Sequence, residues 1–172
     1  MTRFSLRLPQ RQARLVAMAV AYHLARPGAE LDRETMREYE HGLAEVPHAL
    51  DPQLDAEAAM LELGPLQVTL LATALSSVVN ELKTYAMLDT ATGSRPRSAA
   101  PGFDDSLRAL FPEVAADPAA ASDLAGEAAI LRRQLPLARA RELLKEADAR
   151  RERRTAHEMQ RARKKPWQFW RR

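Results

Sequence analysis

The first residues of the chain alternate between apolar and polar side chains. Residues 4–8 have the sequence FSLRL, and this period of two is typical of a strand with one buried face. Residues 59–63, with the sequence AMLEL, have apolar side chains at the same alternate positions. The pattern allows the two segments to pair as a small two-stranded ribbon, in which Arg7 and Glu62 have opposite charge.

A longer stretch of sequence is repeated around these two segments. The segment LRLPQRQARLVA from Leu6 and the segment LELGPLQVTLLA from Leu61 match without gaps at two leucines, a glutamine, a third leucine and an alanine. The last three matches are Gln12 with Gln67, Leu15 with Leu70, and Ala17 with Ala72. Both segments have the pattern of a strand, a turn and a helix, so the sequence predicts one strand–helix unit used twice.

Apolar residues recur every three to four positions in most of the remaining chain, which is the spacing of helices with one buried face. A first helix is predicted from about residue 10 to residue 25. A second begins with Asp32 as its N-cap and ends at Pro47. Its apolar face comprises Met36, Tyr39, Leu43 and Val46.

The most apolar helix is predicted from about Pro65 to Leu88. The uncharged run 63–80 approaches the length of a membrane span, but it contains glycine, proline, glutamine, threonine and serine. We therefore interpret this helix as the buried centre of a helical bundle. Residues 89–102 follow as a flexible loop, since they are rich in threonine, serine, glycine and proline and show no periodicity.

More helices are predicted after this loop. A short one spans Phe103 to Phe111, with Asp104 or Asp105 as its cap. Asp117 is then a cap followed by a proline at the first helical position, and helical spacing continues from there to Leu135, after which Pro136 introduces a kink. The predicted fold class is mainly α. The expected architecture is a compact helical bundle that can include the small two-stranded β-ribbon.

The periodicity divides the chain into a helical domain, 1–135, and a basic C-terminal helical arm, 136–172. The apolar seam of the last helices extends over 124–147 and allows a homo-oligomer to form through it. Residues 150–165 are good helix formers with too little apolar surface to bury. We expect this part of the arm to project from the body.

Features of the sequence that bear on the compartment favour the cytoplasm. The first 21 residues share arginines, an apolar stretch and small residues with secretory signals, but the apolar stretch 15–21 is short, and we interpret it as part of the first helix. The chain has no cysteine, which excludes disulfides, thiolate zinc sites and iron–sulfur clusters. A cytoplasmic location is therefore expected.

No motif for catalysis or cofactor binding is found. The chain has none of the common nucleotide, hydrolase or zinc-protease motifs, and its six glycines leave little material for a phosphate-binding loop. We predict no catalytic residue and no cofactor. The alternative is a small helical enzyme with an unrecognised concave site, formed near His23, Tyr39, His41 or Glu81.

Two Glu-x-x-His pairs need separate consideration, because di-iron bundles use this spacing. They are Glu38 with His41 and Glu45 with His48. In such bundles the pairs come from two different helices and are joined by two more inward glutamates, whereas here both pairs lie in one segment. We interpret them as a solvated helix face and predict no metal site.

The charge is divided unevenly along the chain. Residues 1–149 carry 16 Lys and Arg against 21 Asp and Glu, a balance of −5, while residues 150–172 carry 10 against 2, a balance of +8. An acidic body with a basic tail is typical of an arm that binds polyanions.

The end of the arm, RARKKPWQFWRR, contains both tryptophans of the chain. Large aromatic side chains among so many charges are typical of a contact surface. The predicted partner-binding residues combine the cations of the arm with these aromatics: Arg150, Arg151, Arg153, Arg154, Arg161, Arg163, Lys164, Lys165, Trp167, Phe169, Trp170, Arg171 and Arg172.

We expect a non-enzymatic binding or adaptor protein that uses this arm. Its partner is an acidic protein surface, with the aromatics filling a pocket, or nucleic acid, with the aromatics stacked on bases and the cations on phosphates. The alternative is a peripheral protein at an anionic membrane surface, with the tryptophans in the headgroup layer.

Overall fold

The two alternating segments do pair. In the computed structural model, which describes residues 2–25, 42–92 and 102–164 and the side chains within 2–25, 42–87 and 102–160, β1 (Phe4–Pro9) and β2 (Ala58–Leu63) form an antiparallel ribbon with Leu6 opposite Leu61. The alternate side chains of one face, among them Leu8 and Leu63, point into the core. The predicted ribbon is confirmed.

The expected charge pairing across the ribbon is wrong. Arg7 lies opposite Met60, and Glu62 lies opposite Ser5. Arg7 and Glu62 each follow the central leucine of their own strand. Because the strands run in opposite directions, these two residues fall on opposite sides of the Leu6–Leu61 pair.

The first predicted helix is confirmed as α1 (Gln10–Ala25). Six consecutive residues, 15–20, are buried, which is more than a helix with one buried face allows. Neighbouring elements therefore cover α1 on several sides. The apolar stretch considered above as a possible targeting signal is part of the core.

Residues 42–53 form three short helical turns. A 3-10 turn (Leu43–Glu45) leads into α2 (Val46–Leu50), and a second 3-10 turn (Asp51–Gln53) follows. The expected helix from Asp32 falls largely on residues 26–41, outside the described residues. Its expected end at Pro47 is wrong, because Pro47 lies in the first turn of α2, where proline interrupts no helical hydrogen bond.

The predicted core helix is confirmed as α3 (Pro65–Thr92). Its buried residues include Val68, Leu75, Val78 and Leu82. The helix continues through residues 89–92, which were expected to belong to the loop, because no helix-breaking residue occurs before Gly93. The rest of that loop, 93–101, lies outside the described residues. None of the helices in the described part of the chain is both long and apolar enough to cross a bilayer.

The strand–helix repeat is confirmed. The helices α1 and α3 begin at residues 10 and 65, the same separation of 55 that relates Leu6 to Leu61. Five equivalent pairs are buried in both helices: Ala13 with Val68, Val16 with Leu71, Ala17 with Ala72, Ala19 with Ala74, and Val20 with Leu75. The two units thus use the same helix face to build one core.

Four α-helices follow the second unit in the described part of the chain. The first three are α4 (Phe103–Leu110), α5 (Pro112–Ala116) and α6 (Ala121–Gln134). The N-cap of α4 is Gly102, at φ 73°, with no side-chain cap, so the expected caps Asp104 and Asp105 lie instead in the first turn. The predicted cap Asp117 is confirmed for a 3-10 turn (Pro118–Ala120) that leads into α6: its Oδ1 accepts a hydrogen bond from the N–H of Ala119 at 3.1 Å.

The last helix, α7 (Leu137–Lys164), is separated from α6 at Leu135 and Pro136. Leu135 has extended backbone (φ −65°, ψ 141°), as residues before proline prefer. The break is therefore stronger than the expected kink. The first turns of α7 pack against α3 through the buried Ala140, and the helix then continues beyond the core.

Candidate functional site: the exposed basic helix

Residues 150–160 of α7 are surrounded by solvent. Every side chain from Arg150 to Gln160, which we call the exposed segment, is exposed. The segment contains four arginines within five residues and only one large apolar side chain, Met159. A helix with so little apolar surface gains nothing by packing on the core, so its cations remain accessible.

The arginines of the exposed segment cover a wide arc of the helix. At about 100° per residue, Arg153, Arg150, Arg154 and Arg151 follow one another around about 160° of the circumference. Leu143, Ala147, Arg150 and Arg154 are spaced by three or four residues. They therefore lie along the same face of α7. The basic surface therefore begins on the side by which α7 meets the body.

Ion pairs within the helix neutralise these arginines only in part. Arg150 pairs with Glu146 at 3.3 Å and Arg154 with Glu158 at 3.3 Å, and all four side chains are at least half exposed. Exposed pairs of this kind contribute little to stability. An anionic partner can therefore replace the glutamates at small cost.

A groove of about 350 Å³ lies at the base of the exposed segment. It is formed where the residues before β1, the start of α3 and the middle of α7 meet. Leu66, Leu143 and Leu144 provide apolar lining. The charged lining has both signs, with Arg3 and Arg150 beside Glu146 and Asp148. Sequence reasoning missed Arg3 and Leu66, because only the folded chain brings these distant residues together.

The start of α3 beside this groove is held by a buried amide. Gln67, only 7 % exposed, accepts a hydrogen bond from the N–H of Gly64 at 2.9 Å through Oε1. Its Nε2 donates to the carbonyl of Gly42 at 3.2 Å. A glutamine at the third helical position that reaches back to the N-cap is one half of a capping box. It fixes the wall of the groove.

The predicted site residues divide into three groups. Arg150, Arg151, Arg153 and Arg154 are exposed on one helix, as expected. The backbone of Arg161, Arg163 and Lys164 completes α7, but their side chains lie outside the description. The remaining predicted residues lie outside the described residues: Lys165, Trp167, Phe169, Trp170, Arg171 and Arg172.

The region named for an enzymatic site contains packed aromatic side chains. The hydroxyl of Tyr22 donates to Glu81 Oε2 at 2.9 Å, and the buried ring of Phe103 packs edge-on to Tyr22 at 5.4 Å. Tyr39 and His41 lie outside the described residues. Among the side chains that the structure describes, no three histidines or carboxylates are grouped to hold a metal ion.

The apolar seam expected for self-association is packed within the chain over its first part. Leu124, Ala128, Leu131 and Ala140 are all buried, and α6 and α7 both pack against α3. The apolar side chains of 124–147 that remain accessible to a second copy include the exposed Ile130 and Ala147 and the half-buried Leu143 and Leu144.

Comparisons of this chain with protein-family models, with curated proteins and with solved structures found no significant match.

Proposed function

We propose that this chain is a non-enzymatic binding protein whose exposed segment engages nucleic acid through its phosphates. The observation that carries the proposal is the set of four exposed arginines, 150, 151, 153 and 154, on a helix that leaves the core. Lys and Arg that neutralise phosphates release condensed counterions, and this release drives binding that does not depend on sequence. A cytoplasmic location is part of the proposal.

The distribution of the arginines favours nucleic acid over an acidic protein surface. A flat acidic surface meets one side of a helix, whereas a groove of a duplex is flanked by two rows of phosphates. Cations spread over about 160° of a helix can reach both rows, and the major groove of DNA admits one helix. In this proposal the aromatic residues Trp167, Phe169 and Trp170 add stacking on unpaired bases.

A membrane surface is less well supported. A helix that lies in the headgroup layer needs a continuous apolar face along its length. The exposed segment has Met159 and Ala156 as its apolar side chains. Anionic lipid is therefore kept as an outcome of the test.

The test compares two matched fourfold variants in nucleic-acid binding, measured by fluorescence anisotropy at several salt concentrations. The first replaces the arginines at 150, 151, 153 and 154 with glutamine. The control replaces the exposed arginines at 132, 133, 139 and 141 with glutamine and changes the net charge equally. Labelled duplex DNA and single-stranded RNA of equal length are the probes, and circular dichroism verifies the fold of each variant.

We expect the wild type to bind with a steep salt dependence. The first variant should lose at least about a hundredfold in affinity at low salt. The slope of log affinity against log salt concentration should become shallower by up to about 3.6 for the duplex and about 2.8 for the single strand. The control should lose much less. Equal losses in both variants would show that net charge alone governs binding. Absence of binding by the wild type would overturn the proposal, and binding of anionic vesicles instead would favour the membrane surface.

A further inference from the structure

The two strands of the ribbon each have one edge that faces away from the partner strand. The N–H of Gln10 donates to the carbonyl of Glu57 at 3.1 Å, one position beyond the Pro9–Ala58 pair. In an antiparallel ladder, alternate residues hold the bonds to the partner strand. The even-numbered residues of β1 therefore bond to β2, and the N–H and C=O groups of Ser5 and Arg7 point outward.

The outer edge of β2 is closed by one side chain. Gln53 Oε1 accepts a hydrogen bond from the N–H of Met60 at 2.9 Å, and Gln53 Nε2 donates to the carbonyl of Met60 at 3.3 Å. The same amide nitrogen donates to the carbonyl of Ala49 at 2.7 Å. The amide thus bonds both backbone groups of Met60 as a neighbouring strand would. Such covering is a common protection of a strand edge.

The outer edge of β1 has no such cover in the described part of the chain. No hydrogen bond between described residues reaches the outward backbone groups of Ser5 or Arg7, and both residues are exposed. Pro9, which has no N–H, marks the end of the usable edge. On the inner face, Phe4 and Leu6 are only half-buried against the core.

The charges along this edge decide what can bind there. Arg3 and Arg7 are both exposed, and they lie on the outer face on either side of Ser5, at a distance of about 13 Å for extended chain. A second copy of β1 would bring its own arginines beside these two, and like charges on adjacent strands are destabilising. An acidic strand would form cross-strand ion pairs instead.

We infer that β1 accepts an extended acidic peptide as a third strand of the ribbon. The peptide runs antiparallel to β1 and bonds the backbone of Ser5 and Arg7, the mode known as β-augmentation. Its sequence pattern is acidic, apolar, any, apolar, acidic. The acidic residues lie opposite Arg3 and Arg7, and the apolar residues extend the core beside Phe4 and Leu6. This inference does not depend on nucleic-acid binding by α7.

The test uses the full chain and the capped peptide Glu-Val-Thr-Val-Glu, with binding measured by calorimetry. Two matched peptides carry one N-methyl group each. In antiparallel addition the central threonine N–H bonds to Ser5, whereas the N–H of the following valine points away. We expect methylation of the threonine nitrogen to weaken binding by at least about tenfold and methylation of the valine nitrogen to have little effect.

A charge exchange tests the second half of the inference. The double variant Arg3→Glu with Arg7→Glu should lose the acidic peptide and bind Lys-Val-Thr-Val-Lys in its place, with its melting temperature confirming that it is folded. Equal binding of the two N-methylated peptides would mean that charge alone, including that of α7, attracts the peptide. That result, or no binding of the parent peptide, would overturn the inference and leave Arg3 and Arg7 as charges that keep the edge from pairing.

Discussion

Leu6 of β1 lies directly opposite Leu61 of β2, and the two leucines are also equivalent residues of the two strand–helix units. An approximate local twofold axis of the two strands therefore passes between them. The two sides are not covered equally, since Leu61 is 2 % exposed while Leu6 is half-buried. The second unit is the more central one, because its helix α3 packs against α1, α6 and α7.

This asymmetry predicts different costs for the same substitution at equivalent positions. Leu61→Ala should lower the free energy of unfolding by about 2–5 kcal/mol, as for other buried leucines. Leu6→Ala should cost clearly less, because part of its side chain already contacts solvent. Urea denaturation of both variants measures the difference, and equal losses would contradict the unequal burial.

Gln67 and Gln12 provide a second matched pair. Gln67→Leu leaves the N–H of Gly64 and the carbonyl of Gly42 without their side-chain partner and should cost about 1–3 kcal/mol of unfolding free energy. Gln12 is the equivalent residue of the first unit. There the residue equivalent to Gly64 is Pro9, which has no backbone N–H for the Gln12 side chain to accept. Gln12→Leu should therefore cost less than about 1 kcal/mol. Chemical denaturation tests both, and a larger loss at Gln12 would contradict the capping role of Gln67.

Gln53 is predicted to protect the chain from self-association as well as to stabilise it. Gln53→Ala should lower the unfolding free energy by about 1–2 kcal/mol, because it removes three hydrogen bonds at an exposed site. It should also increase association at high concentration, because it opens the edge of β2. Gln53→Glu keeps the acceptor for Met60 and should be intermediate. Sedimentation velocity measures the association. If the wild type and both Gln53 variants are monomeric at high concentration, the protective role is contradicted.

The pH dependence of stability should reflect the ion pairs of Arg11. Arg11 Nη1 donates to Glu113 Oε1 at 2.7 Å and its Nε to Glu127 Oε2 at 2.8 Å, joining α1 to α5 and α6. The hydrogen bond from Arg11 lowers the pKa of Glu113 below its ordinary value. The stabilisation is therefore complete above that ordinary value and is lost as the pH falls through the lowered pKa.

Glu113→Gln should consequently be less stable than the wild type at neutral pH by up to about 1 kcal/mol, as expected for an exposed pair. The difference should shrink as the pH falls below about 4.5. Thermal unfolding from pH 7 to pH 3 measures it. Glu142→Gln removes a pair within α7, with Arg139 at 3.1 Å, and should cost less at neutral pH. A Glu113 variant whose deficit grows in acid would contradict this assignment.

Local pattern accounted for most of the helices and for the existence of the ribbon. Helix α1 was predicted because its apolar residues have helical spacing, and β1 because its alternation is regular. The errors occurred where a local signal has two meanings. Pro47 can end one helix or begin the next, and Asp104 can be a cap or lie in the first turn. Contacts with the rest of the chain decide between these alternatives.

The basic arm of the candidate site was visible in the sequence, since charge composition is a local property. The groove beside it was not, because residues from both ends and the middle of the chain line it. The difference between the two edges of the ribbon was also invisible, since it depends on a hydrogen bond between Gln53 and Met60. Neither periodicity nor composition predicts with which backbone groups a distant side chain will form hydrogen bonds.

The sequence by itself determined the mainly helical class, the repeated strand–helix unit and the division into an acidic body and a basic end. Periodicity and charge follow from the order of the residues alone, so they are recognised without knowledge of any contact. Only the tertiary structure decided that the apolar seam is buried as far as Ala140 and that no hydrogen bond between described residues covers the outer edge of β1. Burial and hydrogen-bond satisfaction are properties of pairs of distant residues, and they exist only after the chain has folded.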